Sequence, residues 1–270
     1  MRPYLFAFLF IILFSCSKSE AESTDTESTD PEPMDIPNEE NNNPVDLADD
    51  FDGNGALVDY VTNNAAALPE VTQSENRYHA LLTDNSNNIT LHFNEEQGRL
   101  DAKLLEFPFE FIARNIGIGT VEDSQTAPTS ANDPYNFSGV QVHVEDFNSI
   151  NSSHVVVGHR GPTGFTIEGK NTVNGDSSVN DIGQNTVPSG RADIRIVGND
   201  NNTLTVYWQL PNMNYPTDSD NWTLYRDSGN LPGTAPNYGD SVYVGLITYA
   251  FGSTGVPFVG TCDAIQITTN

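Results

Sequence analysis

Short segments of β-type residues, separated by clusters of Asn, Asp, Gly, Ser and Pro, run through the chain from residue 51 to its end. Alternating apolar and polar residues are typical of strands, and such polar clusters mark turns. Residues 193–208 predict a hairpin, because two alternating arms flank an Asn-rich link. A helical pattern is found only at residues 55–67. The sequence therefore predicts an all-β domain over residues 50–270, folded as a two-sheet antiparallel β-sandwich or jelly roll.

The predicted strand at residues 139–145 carries two different faces, because successive side chains of a strand point to opposite sides. Three apolar residues lie on one face: Val140, Val142 and Val144. Gln141, His143 and Glu145 lie on the other. We expect the first face to be buried and the second to supply hydrogen bonding and proton transfer. Residues 153–160 form a second predicted strand soon after it.

The N-terminus predicts a secreted, lipid-anchored protein. Residues 1–15 form an apolar run that is too short for a membrane span of about 20 residues, as in a signal peptide. The sequence Leu13-Phe14-Ser15-Cys16 resembles a bacterial lipobox, in which Cys16 carries the lipid. Lipidation of Cys16 would leave Cys262 without a disulfide partner. We expect a lipoprotein of the bacterial outer membrane that faces the cell surface.

Acidic and small polar residues dominate residues 16–49, which predicts a disordered tether between the lipid and the domain. The whole chain has a formal net charge of −26. Such a chain is a poor nucleic-acid partner, since phosphate binding depends on clustered Lys and Arg. An uncharged or divalent-bridged polysaccharide is a more suitable partner.

Aromatic residues suggest both a core and a binding surface. Phe107, Phe109 and Phe111 alternate along one predicted strand and are expected in the core. Trp208 alternates with apolar neighbours and is expected there too. Trp222 follows a long polar loop and is a candidate sugar-stacking residue.

Residues 50–53, 242–246 and 257–267 resemble strands of concanavalin A-like lectins and glucanases. The resemblance implies two curved sheets, often with glycan on the concave face, and sometimes a structural calcium ion. Asp50, Asp52 and Asp263 are the candidate calcium ligands, since carboxylate oxygens suit this ion.

Gln141-Val142-His143 also resembles a strand motif of jelly-roll alginate-type polysaccharide lyases. β-Elimination needs a group that neutralises the uronate carboxylate, a base and an acid. The resemblance implies Gln141 with Arg114 or Arg160 for the first role and His143 for the second. Tyr249 or Tyr243 would be the acid. Of the further Arg-containing motif of these lyases, residues 112–115 supply only one Arg, and their late Tyr-rich strand is matched at residues 243–249 without its Lys and its Gln.

Three functions remain open on the sequence alone. A cell-surface lectin-like protein would bind polysaccharide through Gln141, His143, Arg160 and Trp222. A polysaccharide lyase would use Gln141, His143, Arg114 and Tyr249. A structural or adhesive surface protein would need no glycan site. The chain lacks a Gly-x-Ser-x-Gly nucleophile motif, a phosphate-binding loop and the paired carboxylates of laminarinase-type glycosidases.

Overall fold

The computed structural model of the chain describes residues 45–52, 59–68, 70–82, 98–119, 136–159, 164–177, 186–250 and 258–269. These residues form strands β1 to β16 and two short 3-10 turns, Ala65–Ala67 and Tyr225–Asp227. The strands are β1 Val45–Asp49, β2 Val61–Asn63, β3 Glu70–Gln73, β4 Tyr78–Leu82, β5 Arg99–Glu106, β6 Phe109–Gly119, β7 Asn136–Val144, β8 Ser152–His159, β9 Phe165–Val173, β10 Asp176–Ser177, β11 Arg191–Gly198, β12 Leu204–Gln209, β13 Thr223–Leu224, β14 Ser241–Ala250, β15 Phe258–Cys262 and β16 Ala264–Thr269.

The strands form two antiparallel sheets. The seven-stranded sheet, here called the front sheet, has the order β10-β9-β8-β7-β14-β5-β2. The nine-stranded sheet, here called the back sheet, contains β13-β12-β11-β6-β15-β4-β3, with β16 paired to both β6 and β1. The predicted all-β, two-sheet antiparallel sandwich is confirmed.

The main core lies between the two sheets. Val142 and Val244 enter it from the front sheet, and Phe111 and Ile194 enter it from the back sheet. All three valines of β7 are buried in this core, as their alternation predicts. Phe109 and Phe111 are also buried there, while Phe107 and Trp208 pack against it. The free Cys262 is buried, and burial raises the pKa of its thiol, which makes it an unreactive core residue.

The predicted hairpin at residues 193–208 is confirmed as β11 and β12. Ile194 pairs with Trp208, and Gly198 pairs with Leu204 at the end of the ladder. Asn202 in the link has a φ of 56°, a left-handed conformation that Asn tolerates better than most residues.

Two segments differ from the sequence analysis. Residues 45–49, placed at the end of the predicted tether, form β1 and pair with β16 from Asp49↔Ile265 to Val45↔Thr269. The described part of residues 55–67 contains β2 and one short 3-10 turn instead of a longer helix. Among the described residues, no helix is long and apolar enough to cross a membrane.

Candidate functional site

The outer face of the front sheet, which points away from the main core, is a separate buried surface. Its apolar part contains Leu100, Phe137, Val156 and Ile247, which pack together as a second cluster. Gln141 and His143 share this face, and each is only 4% exposed. The polar side of β7 is therefore inside the molecule, which rules out a simple solvent-facing role for these two side chains.

Strand register gathers further polar residues around Gln141. His154 of β8 lies directly opposite Gln141, and Lys170 of β9 lies directly opposite His154. Side chains opposite one another in antiparallel strands share a face. The Gln141 amide donates a hydrogen bond to the Ser152 hydroxyl at 3.2 Å. The outer face thus carries a polar cluster, defined here as Gln141, His154, Glu168, Lys170 and Tyr249.

His154 and Tyr249 are in direct contact within the polar cluster. The Tyr249 hydroxyl lies 3.3 Å from Nε2 of His154. Burial, together with the positive charge of Lys170, lowers the pKa of His154 well below its ordinary value of 6.5. The imidazole is therefore neutral at neutral pH and can accept a proton from a hydroxyl group. The pair has the composition of a general acid and a general base.

His143 lies at a more open end of the same face. Its Nδ1 is 2.7 Å from the carbonyl oxygen of Val144, and because a carbonyl oxygen only accepts hydrogen bonds, Nδ1 carries a hydrogen and donates it. The ring centroid is 5.1 Å from that of Phe147, and Phe147 stacks on Tyr243 at 4.4 Å. Phe147 and Tyr243 are half-buried, and Leu104, paired with Tyr243, is 51% exposed. His143, Phe147, Tyr243 and Leu104 are called the aromatic edge below.

Arg114 lies on the back sheet and not beside the polar cluster. Its two terminal nitrogens donate to the two carboxylate oxygens of Asp220 at 2.7 and 2.8 Å. Asp193 lies 3.4 Å from one of them. The hydrogen bonds from Arg114 lower the pKa of Asp220 to about 2. Arg114 is thus held by two acidic residues, and the structure does not bring it to His143 or Tyr249 as the sequence analysis expected for a lyase.

Trp222 belongs to the surroundings of Arg114. The guanidinium lies 4.0 Å from the ring centroid of Tyr215 and 5.3 Å from that of Trp222. Tyr215 is 42% exposed, whereas Trp222 is half-buried. The predicted sugar-stacking residue is therefore engaged with a cation, and Tyr215 is the more exposed ring of the two.

The candidate calcium ligands do not form a ready site. Asp50 and Asp52 are exposed, while Asp263 forms an ion pair with Arg77 and accepts a hydrogen bond from Asn115 at 2.8 Å. The part of the chain that the structure describes holds no group of three or more His, Cys, Asp or Glu residues suited to a metal ion. Both carboxylate oxygens of Asp263 already have partners, so the residues present fit calcium poorly.

Two predicted site residues, Arg160 and the lipidation residue Cys16, lie outside the described residues. The sequence analysis did not single out His154, Glu168 or Lys170. The segment containing His154 was recognised as a strand, and its alternation places His154 and Val156 on one face. What the sequence lacks is the register that sets His154 beside Gln141, because the link at residues 145–151 between β7 and β8 does not by itself fix which residues pair.

Comparison with known proteins identifies the fold. No protein family profile matches the sequence, and no curated protein matches it. Among solved structures, the xylan β-1,4-xylosidase of Bacillus halodurans C-125 matches 82% of this chain and 39% of its own, at 12% identity and a TM-score of 0.50. The bifunctional GH43-CE protein of Bacteroides eggerthii matches 82% of this chain and 25% of its own, at 13% identity and a TM-score of 0.51.

The chain thus spans about two fifths of the length of the first protein and a quarter of the second. The β-glucanase of Bacillus licheniformis matches 83% of this chain and 98% of its own, at 10% identity and a TM-score of 0.40. Identities this low show fold and leave activity open. The chain is a two-sheet antiparallel β-sandwich, and the first two comparisons show that it shares its fold with parts of the xylosidase and of the GH43-CE protein.

Proposed function

We propose that the chain is a cell-surface lipoprotein that binds polysaccharide at the outer face of its front sheet. The proposal rests on one observation: a partly exposed aromatic edge, at Phe147, Tyr243 and Leu104, lies on the same sheet face as a buried polar cluster. The carbohydrate class rests on analogy with proteins of the same fold, such as the xylosidase. The residues assigned to the site come from this chain alone.

Sugar contact would begin at the aromatic edge. Aromatic rings stack on the apolar faces of sugar rings, and Tyr243 also has a hydroxyl group for hydrogen bonding. Leu104 extends this surface as an exposed apolar side chain. The polar cluster lies on the same face behind the edge, and a sugar residue that moved inward would meet amide, imidazole and phenol groups.

A second function is favoured by the contact between Tyr249 and His154. In β-elimination on a uronate, a base removes the proton at C5, a double bond forms between C4 and C5, and the C4–O bond breaks as an acid protonates the leaving oxygen. Neutral His154 has the character of the base, and Tyr249 that of the acid. Lys170 could offset the uronate carboxylate. In this form of the lyase hypothesis, His154 takes the role that the sequence analysis gave to His143.

One experiment separates these functions. The purified chain lacking residues 1–16 is run in affinity gels containing neutral or uronate polysaccharides, and the absorbance of unsaturated products is followed in parallel. Retarded migration without absorbance supports binding. Growing absorbance that is lost in His154→Gln supports the lyase. The absence of both signals would contradict polysaccharide binding and lyase activity alike, and it would leave a structural or adhesive role.

The lipid anchor is tested separately. We expect mass spectrometry of the protein from membranes to find a lipid-modified N-terminus at Cys16, and Cys16→Ser to remove the modification and release the protein from the membrane fraction. Recovery of a lipidated Cys16→Ser chain would contradict the lipobox.

A further inference from the structure

A cleft of about 380 Å³ lies at the edge of the back sheet, where β12 ends and residues 210–223 begin. Its size falls within the range of small-molecule sites, which is roughly 300 to 1,000 Å³. It is lined by side chains of several chemical types: Trp208, Gln209, Asn212, Asp218, Asn221 and Thr223. None of them belongs to the polar cluster or to the aromatic edge.

The wall of the cleft is held in place by buried and partly buried hydrogen bonds. The Gln209 amide donates to Asp193 and to Asp220, each at 2.9 Å, and its oxygen accepts from the backbone N–H of Asn221 at 2.7 Å. The backbone N–H of Asn212 donates to Asp193 at 2.9 Å. Arg114 donates two hydrogen bonds to the carboxylate of Asp220 and so fixes its position. A cleft fixed in this way needs little ordering when a ligand enters, which favours affinity.

Polar groups in the cleft have unused bonding capacity. Trp208 lines the cleft as a half-buried residue, while its indole N–H is closed off from solvent. The exposed side chains of Asn221 and Thr223 add an amide and a hydroxyl group at the rim.

The charges in and around the cleft restrict the class of ligand that can bind there. The described lining residues include the carboxylate of Asp218 and no Lys or Arg. The Arg114 charge behind the cleft is already paired with two carboxylates. An anionic ligand would be repelled, whereas a neutral molecule rich in hydroxyl groups could both donate to Asp218 and the amide oxygens and accept from the N–H groups.

We propose that this cleft is a second saccharide-binding site, which takes a neutral sugar residue and is separate from the front sheet. Trp208 supplies apolar contact, and Asn221 and Thr223 contact the hydroxyl groups. The inference rests on the cleft itself, so it stands or fails independently of the function proposed for the front sheet.

The chain has two tryptophans, Trp208 and Trp222, so replacing Trp222 allows the fluorescence of Trp208 to be followed alone. In a Trp222→Phe background, Trp208 is the single fluorophore, and its emission is titrated with neutral hexasaccharides of xylose, mannose and β-linked glucose. We expect a saturable change with at least one of them, at a Kd of about 1 mM or below. The absence of any saturable change across the series would overturn the proposal.

Matched variants provide the second part of the test of this cleft. Asn221→Ala, in the same background, should weaken binding by about threefold to tenfold, as expected for one lost hydrogen bond. Asn230→Ala alters an exposed turn outside the cleft and should bind as the parent does. Tyr243→Ala, on the front sheet, should also leave the Trp208 response intact. Equal binding by Asn221→Ala and its parent, or a preference for a uronate hexasaccharide, would contradict the assignment.

Discussion

The hydroxyl group of Tyr249 and the Nε2 atom of His154 lie 3.3 Å apart on the outer face of the front sheet, 95 residues apart in sequence. Both side chains are buried, and Lys170 has its ammonium 6.0 Å from the centroid of the Tyr249 ring. A neutral histidine, a phenol and a buried cation therefore share one face of the sheet.

The first prediction concerns the pH dependence of stability. The pKa of His154 is lowered in the folded chain, so between that pKa and 6.5 the unfolded chain binds more protons. The free energy of unfolding should therefore fall as the pH drops below 6.5, by about 1.4 kcal/mol per pH unit from this one group. His154→Gln should remove that slope in urea unfolding.

His79→Ala is the control, because it removes a half-buried histidine from the back sheet. Burial also lowers the pKa of His79, though less than that of His154, so this variant should lose only the smaller part of the slope and retain the part that His154 contributes. If His154→Gln and wild type lost stability equally on acidification, His154 would not be buried in its neutral form.

The second prediction concerns Arg114. Arg114→Ala leaves Asp193 buried without a cationic partner and should reduce the free energy of unfolding by about 3 kcal/mol. Arg195→Ala is the matched variant, because its ion pair with Glu110 is more exposed and should be worth about 1 kcal/mol or less. Chemical denaturation of both variants measures the difference, and similar losses would count against a structural role for Arg114.

The sequence predicts which residues share one face of a strand better than it predicts which strands lie in the same sheet. Alternation along β7 correctly separates the buried valines from Gln141 and His143, because strand period is a local property. The sequence analysis assigned Arg114 to the wrong site, because it recognised the strand that contains Arg114 but could not tell to which sheet that strand belongs. Assignment to a sheet depends on pairing over more than a hundred residues, and no local pattern records it.

Strand β5 shows a second limit. Arg99, Asp101 and Lys103 occupy alternate positions, a pattern that reads as a solvated face. The structure instead buries Asp101, which accepts hydrogen bonds from Tyr78 at 2.8 Å and from Thr62 at 2.6 Å. A buried carboxylate is tolerated only with such partners. Arg99, two residues away, also binds Asp101 at 3.0 Å, whereas Tyr78 and Thr62 lie 23 and 39 residues away and are not visible in the local pattern.

The third prediction concerns calcium. Because Arg77 and Asn115 already bind the carboxylate of Asp263, we expect excess chelator to leave the melting temperature unchanged. Asp263→Asn should lower it in the presence or absence of calcium, since the pair with Arg77 is lost. A melting temperature that falls in chelator and recovers with added calcium would reinstate the metal site.

The most direct test of polysaccharide binding by the front sheet compares Tyr243→Ala with Tyr207→Ala in affinity gels that contain a polysaccharide bound by the wild type. Both substitutions remove a half-buried tyrosine, but Tyr243 belongs to the aromatic edge and Tyr207 lies on the back sheet. We predict that Tyr243→Ala weakens binding about tenfold or more, while Tyr207→Ala binds as the wild type does. Unchanged binding by Tyr243→Ala would contradict the proposed site.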